Sequence, residues 1–454
     1  MKRLDYDLVV IGSGGGAFAG AIRARDLARS VLMVEHGTMG GTCVNVGCIP
    51  SKALLVASGR AARTGAPALR EAMASKHHLI AQLRQTKYID LLDEYGIESR
   101  SGHARLTGPY TVEVDGEPVS AEAILVTTGA RPAVPPIPGL DGAGFLTSTE
   151  ALDLSDAPSR LAVIGAGPVG LELGQMLGNF GSRVTFIARR DIAPRVEPEV
   201  AAGLRAVLEA EGHSVITHAT TAEVSTDGSE KLLRGRTDGA EFEVRADEIL
   251  VAIGRSPNTA DLGLEDVGVE LDPSGAIVVD SHQRTSVPSI YAAGDVTNQP
   301  RFVYVAAAAA AAAAQNALAS GHEQLDFAAL PQVVFTAPAI AQAGITEADA
   351  RERGLAVATT LMPLAAVPRA LVNGDKRGLF KLVAESGSGR LVGASILAEG
   401  AADVIESAVL AIVRGMTVRE LAGTWAPYLT IAEGLKLAAQ TFERDVSKLS
   451  CCAA

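Results

Sequence analysis

Four cysteines occur in the 454-residue sequence, and they stand as two close pairs: Cys43 with Cys48, and Cys451 with Cys452 near the chain end. Paired thiols suit disulfide exchange or the binding of a soft metal ion, because a thiolate is both a nucleophile and a soft ligand. A structural zinc site is a poorer match, since it needs a second ligand pair nearby. In a regular helix, residues five apart rise about 7.5 Å, beyond the roughly 7 Å between Cα atoms that a disulfide tolerates. A helix carrying Cys43 and Cys48 must therefore be distorted, and Asn45 and Gly47, both poor helix formers, lie where it can bend. Cys451 and Cys452 sit at a chain end, where a segment can sweep between solvent and an interior site.

These thiols need elements that bring electrons to them. The apolar run Leu8-Val9-Val10-Ile11 predicts a buried parallel strand. Gly12-x-Gly14-x-x-Ala17 follows it, the turn in which small residues let a pyrophosphate approach the backbone at a helix N-terminus. One glycine motif is weak evidence, but a second copy follows a second strand: Leu161-Ala162-Val163-Ile164, then Gly165-x-Gly167-x-x-Gly170. In the first copy the next strand ends at Glu35, whose carboxylate can accept hydrogen bonds from a ribose 2′-hydroxyl. The same distance beyond Gly165 lies Ala188, followed by Arg189 and Arg190. Two guanidinium groups can bind a 2′-phosphate that a carboxylate would repel. A third repeated segment pairs Ile124-Leu125-Val126-Thr127-Thr128-Gly129 with Ile249-Leu250-Val251-Ala252-Ile253-Gly254, each a strand ending in a glycine turn. The first copy is the longer between its glycine motif and this strand, and the extra residues fall in a helical region after Cys48.

The run Gly40-Gly41-Thr42-Cys43-Val44-Asn45-Val46-Gly47-Cys48-Ile49-Pro50-Ser51-Lys52 resembles the redox-disulfide signature of the pyridine nucleotide-disulfide oxidoreductases, and the likeness extends along nearly the whole chain. It implies an α/β fold: two doubly wound Rossmann-like nucleotide-binding domains plus a C-terminal α+β dimerisation domain. The expected boundaries are 1–149 and 276–329 for a discontinuous FAD-binding domain, 150–275 for an NADPH-binding domain, and 330–454 for an interface domain that ends in the Cys-Cys tail and makes a homodimer. FAD is then expected on Gly12, Gly14, Ala17, Glu35, Gly41, Thr42, Lys52, Thr128, Gly129 and Asp295. NADPH is expected on Gly165, Gly167, Gly170, Arg189, Arg190 and Gly254. By the same likeness Cys48 is the thiol beside the flavin and makes its charge-transfer contact, Cys43 is the interchange thiol, and Lys52 pairs with Glu172. Several relatives gate the nicotinamide pocket with an aromatic residue where Pro168 stands, and proline cannot swing that way.

Disulfide-reducing members resemble one another in a His-x-x-x-x-Glu element from the partner subunit, whose imidazole protonates the departing thiolate. Here that stretch is Tyr428-Leu429-Thr430-Ile431-Ala432-Glu433, and the last histidine of the chain is His322. A phenol, with an ordinary pKa of about 10, is a poor proton shuttle at neutral pH. Two-electron reduction of a thiolate-bound soft cation needs no proton at the substrate atom. The ending Leu449-Ser450-Cys451-Cys452-Ala453-Ala454 resembles that of the metal-reducing members. The expected substrate is therefore Hg(II), arriving as a small-thiol complex and leaving as Hg(0). Cys451 and Cys452 of one subunit would capture it and pass it, alongside Tyr428, to Cys43 and Cys48 of the other. Many relatives carry a metal-binding domain ahead of this core; without one, capture falls to the tail or to a separate carrier protein.

Composition narrows the setting. With 48% hydrophobic and 20% charged residues the chain is ordinary for a globular protein, and a net charge of -12 argues against a nucleic-acid partner. The longest uncharged stretch, 302–318, is mostly alanine and falls short of the roughly 20 apolar residues that span a bilayer, so it predicts a helix packed closely on its neighbours. No export signal is visible in the first residues, and a cytoplasmic, thiol-reducing setting with no membrane insertion is expected.

Overall fold

Tyr6–Ile11 is apolar on both faces, and a strand of that kind is stable only when both faces are covered. The computed structural model describes residues 4–319 and 321–445; Cys451, Cys452 and the rest of the tail lie outside the described residues. In it, Tyr6–Ile11 is central to a parallel run of Glu98–Ser101, Val31–Glu35, Tyr6–Ile11, Glu117–Val126 and Ile290–Ala292. Ala104–Gly108 and Thr111–Val114 extend this sheet as an antiparallel hairpin.

The helices Gly15–Asp26 and Val303–Leu318 cover one face. They approach closely because small residues line their contact. A Cβ added at Gly16 would come within 3.0 Å of Ala306 O, and one at Gly20 within 3.2 Å of Ala310 O. The alanine run is thus a close-packed helix, and no helix among the described residues is long and apolar enough to cross a membrane.

The second glycine turn opens a second parallel sheet, ordered Ser214–Ile216, Arg183–Ile187, Arg160–Ile164, Glu248–Val251. Phe186 and Leu171 are fully buried in its core. The two nucleotide units are tied by their third repeated segments: Ala130–Pro132 and Arg255–Pro257 pair antiparallel, with Ser256 opposite Arg131. A third, antiparallel sheet runs Gln332–Val334, Ala339–Gly344, Leu391–Ala398, Leu379–Glu385, Val357–Pro363. The apolar helix Ala401–Val413 packs on it around Phe380 and Ile405.

A buried charge cluster joins the second and third units. Lys381 Nζ lies 3.0 Å from Glu197, 2.9 Å from Glu199 and 2.8 Å from Glu347. Glu197 also accepts the Glu347 backbone N–H at 2.7 Å. Hydrogen bonding to Lys381 holds the Glu347 carboxyl below the usual range. That contribution to stability is present above the ordinary carboxylate pKa and fades as pH falls through the lowered value. Replacing Lys381 with Met leaves buried Glu197 without its cation. The expected cost is about 3–5 kcal/mol, read as a lower midpoint of thermal unfolding than Lys381→Arg shows; equal melting of the two variants would contradict it.

Candidate active site

The two central thiols meet because the chain between them is not one bent helix, as their spacing suggested, but two helices. Gly41–Val46 stops at Gly47, whose φ of -134° and ψ of -108° leave the helical region, and Cys48 opens the next helix, Cys48–Thr64. A Cβ at Gly47 would sit 2.9 Å from Thr42 O, so the break needs glycine. Asn45 clamps the first helix from its side, its Nδ2 donating to Met39 O at 3.0 Å and Gly41 O at 2.9 Å.

Cys43 and Cys48 are free thiols within hydrogen-bond reach of each other. A hydrogen bond from the Cys43 thiol, then the charge of Lys52, lowers Cys48 to about 7. Its place at the first residue of a long helix acts in the same direction. The Cys43 thiol is pushed up by that hydrogen bond and by burial, and it stays the proton donor.

Lys52 follows Cys48 by one helical turn. Its Nζ donates to Glu172 Oε2 at 2.8 Å; the lysine side chain is 36% exposed and the glutamate 7%. Glu172 lies on Pro168–Asn179, the helix that opens at the second glycine turn, and its Oε1 accepts the Phe335 N–H at 2.9 Å. The pair thus links the cysteine helix, the second nucleotide unit and the third sheet.

Both glycine turns are shaped to receive a dinucleotide. Gly12 and Gly165 have φ of +109° and +107°, and a Cβ on either would strike a carbonyl oxygen, Thr127 O at 2.6 Å or Ala252 O at 2.4 Å. Gly14 and Gly167 instead face open space, with nothing within 4 Å of an added Cβ. That is room for a phosphate to approach the helix N-terminus. Gly41 packs on Gly14, Gly170 packs on Gly165, and Ala17 is fully buried. Glu35 stands at the mouth of the first turn, accepting from Ser13 Oγ and from Gly37 N–H, both at 2.6 Å. Thr42 is exposed beside Cys43. Thr128 and Gly129 are pinned by Asn258, whose Nδ2 donates to Thr128 O at 2.9 Å and whose N–H donates to Gly129 O at 2.9 Å; Gly254 faces open space.

Asp295 lies just after the strand Ile290–Ala292, its carboxyl raised by burial. Arg255 Nε faces Asp295 Oδ2 at 3.5 Å, an ion pair without hydrogen-bond geometry, and its Nη2 donates to Ala130 O. Arg189 and Arg190 are exposed at the end of Arg183–Ile187 and make no ion pair among the described residues. The sequence reading did not single out Ser13, Asn258, Arg255 or Phe335 for roles here. Arg255 alone had a local signal, as the residue after the repeated glycine Gly254.

Tyr428 and Glu433 stand on the third unit. Tyr428 is 50% exposed, and the next residue, Leu429, takes a left-handed φ of +60°. Glu433 is buried, and its Oε2 has no hydrogen-bond partner among the described residues. The two tail cysteines lie outside the described residues.

Residues 6–310 match the family described as pyridine nucleotide-disulphide oxidoreductase, and residues 330–439 match its dimerisation domain. The chain is 49% identical to a mercuric reductase of Streptomyces lividans, covering 99% of this chain and 98% of that one. It is 45% identical to one of Staphylococcus aureus, covering 99% and 84%. Among solved structures it resembles the Cu(II) complex of the HOCl-induced flavoprotein disulfide reductase RclA from Escherichia coli, with a TM-score of 0.89 and 28% identity over 97% of this chain and 100% of that one.

The hydrogen bond from Cys43 to Cys48 sets a pH dependence. In the reduced protein, Cys48 becomes thiolate as pH rises through about 7. Cys43→Ala removes the hydrogen bond and moves that midpoint up by about one pH unit, measurable as ultraviolet thiolate absorbance; an unmoved midpoint would contradict the arrangement.

Proposed function

Because the chain belongs to the pyridine nucleotide-disulphide oxidoreductase family, and within it to the mercuric reductases, we propose that it uses NADPH to reduce Hg(II) to Hg(0) on the Cys43 and Cys48 thiols. The reading is carried by one observation: two free thiols, Cys43 and Cys48, at the break between two helices, in a chain whose histidine position for disulfide chemistry is Tyr428.

The family's cofactors are FAD and NADPH, and both turns fit them. FAD would rest on Gly12, Gly14, Ala17, Glu35, Gly41, Thr42, Thr128, Gly129 and Asp295. NADPH would rest on Gly165, Gly167, Gly170 and Gly254, its 2′-phosphate on Arg189 and Arg190. When bound, FAD supplies two-electron chemistry between nicotinamide and sulfur.

The chain's own groups handle the metal. Hg(II) arrives on two thiolate sulfurs, of small thiols or of the tail cysteines; Cys43, the interchange thiol, displaces one of them and its proton leaves with that thiol, and the Cys48 thiolate displaces the other. Two protein sulfurs then hold Hg(II), suited to a soft, thiophilic ion. Two electrons convert it to neutral metal and leave both sulfurs free; no proton is delivered to the metal, so Tyr428 need not act as an acid. Lys52, held by Glu172, keeps positive charge beside the thiolate throughout.

In this reading the dimerisation domain supports a homodimer. Cys451 and Cys452 of one subunit deliver Hg(II) to Cys43 and Cys48 of the other, alongside Tyr428 and Glu433. The setting is the thiol-reducing cytoplasm, and a separate carrier protein is a compatible donor of metal.

Hg(II)-dependent NADPH oxidation in excess thiol tests this. Cys43→Ala is expected to lower it at least about 100-fold, and truncation before Cys451 to slow it most when thiol competes strongly for the metal. Oxidation driven by a disulfide and indifferent to Hg(II) would overturn the assignment. Arg189→Ala with Arg190→Ala is expected to raise KM for NADPH roughly tenfold or more while leaving kcat near parent, with little change for NADH; an equal change for both nucleotides would contradict the 2′-phosphate role.

A further inference from the structure

Lysine and arginine form no run in this acidic sequence, whose net charge is -12, yet the fold gathers three of them around one cavity of the third unit. Arg419 lies on Val418–Ala422, Lys436 on Glu433–Gln440, and Arg444 just past the end of that helix. None of the three makes a side-chain hydrogen bond or an ion pair among the described residues, and Glu443 brings a carboxylate to the same wall. The cavity holds about 420 Å³, the size of a small-molecule site. Gln440 lines it too. That residue is 8% exposed, and its Oε1 is buried with no hydrogen-bond partner among the described residues. Trp425, fully exposed on the loop that leads to Tyr428, forms an edge.

A buried acceptor left without a donor is unfavourable, and in a native fold it calls for a partner. Cations without partners around a concave site attract a carboxylate. A ligand that meets both demands carries a carboxylate and an N–H on one small body, as an amino-acid thiol does. We propose that this cavity docks the amino-acid-type thiols on which Hg(II) arrives: the carboxylate meets Arg419, Lys436 and Arg444, the N–H donates to Gln440 Oε1, and the carbon chain lies against Trp425. The inference rests on the reading of the substrate as thiol-bound Hg(II), and it names the class of thiol. Cys451 follows Arg444 by seven residues, so the chain ties it within about 25 Å of the cavity. A complex held there is within the tail's reach. The site also gives an acidic protein a local attraction for an anion that its net charge repels.

The test compares NADPH oxidation by the holoenzyme with Hg(II) supplied on three thiols: N-acetylcysteine, with a carboxylate and an N–H; mercaptopropionate, with the carboxylate alone; and mercaptoethanol, with neither. The parent is expected to show a KM about tenfold lower for the N-acetylcysteine complex than for the mercaptoethanol complex, with mercaptopropionate between them and kcat alike. Arg419→Gln combined with Lys436→Gln and Arg444→Gln is expected to erase the carboxylate preference. Gln440→Leu, which removes no charge, is expected to bring N-acetylcysteine level with mercaptopropionate. In the full-length protein carrying Cys451→Ser and Cys452→Ser, saturable quenching of Trp425, the chain's one tryptophan, by the N-acetylcysteine complex reports docking apart from turnover. Adding the three Gln substitutions is expected to abolish that quenching. A parent indifferent to the thiol overturns the proposal. So does a preference that survives the substitutions, or an equal loss with all three thiols, which would put the cavity in the service of the chain's own tail or of a second subunit. Failure of every complex to drive NADPH oxidation removes the Hg(II) reading itself, whereas normal turnover without thiol preference removes this inference alone.

Discussion

Two thiols five residues apart can come within hydrogen-bond reach only where the chain between them leaves the helix. At Gly47 it does: one helix ends, another begins, and Cys48 becomes the first residue of Cys48–Thr64. A side chain at Gly47 would press on Thr42 O, and the helix would have to reorient or the break close. The hydrogen bond from Cys43 that lowers Cys48 depends on that geometry, and so does the helical turn that carries Lys52 to Glu172. Either loss would leave two ordinary thiols near a nucleotide turn, without the ionised sulfur that metal exchange requires.

The remainder of the molecule positions that break among three units. The first sheet presents it beside Gly14, on which Gly41 packs. The second unit contributes Glu172 from the helix opened by its own glycine turn, and the third contributes the backbone of Phe335. Pairing of Ala130–Pro132 with Arg255–Pro257, the clasp of Gln175 on Ala337 and the buried Lys381 cluster all cross unit boundaries. Each fixes relative placement where a shift of about 1 Å would matter to chemistry.

Features governed by local spacing were legible in the amino-acid order. The two glycine turns, the strands that lead into them and Glu35 at the end of the second strand follow from short-range patterns of small, apolar and acidic residues. The close-packed alanine helix was legible too, because alanine without charge has little use other than close contact. The break between Cys43 and Cys48 was half legible: the rise of a helix excluded a regular one, but only the backbone at Gly47 shows two helices. Contacts between residues far apart in sequence and common in type were not legible. Phe335 under Lys52, Arg255 beside Asp295 and Lys381 among three glutamates have no spacing to betray them, since register between separate sheets decides which side chains meet. Lys52 and Glu172 fell between these cases, since family likeness suggested the pair while a lone helical lysine would ordinarily be solvated.

A reductase passes electrons through its two inner sulfurs to a soft metal, whereas a sequestering protein merely holds it. Elemental mercury carried off by a gas stream, counted against NADPH consumed over many turnovers with excess small thiol, tests this most directly. One mercury atom released per NADPH is expected, sustained well beyond the number of protein thiols. Mercury retained on the protein while NADPH oxidation stops after the thiols fill would contradict it.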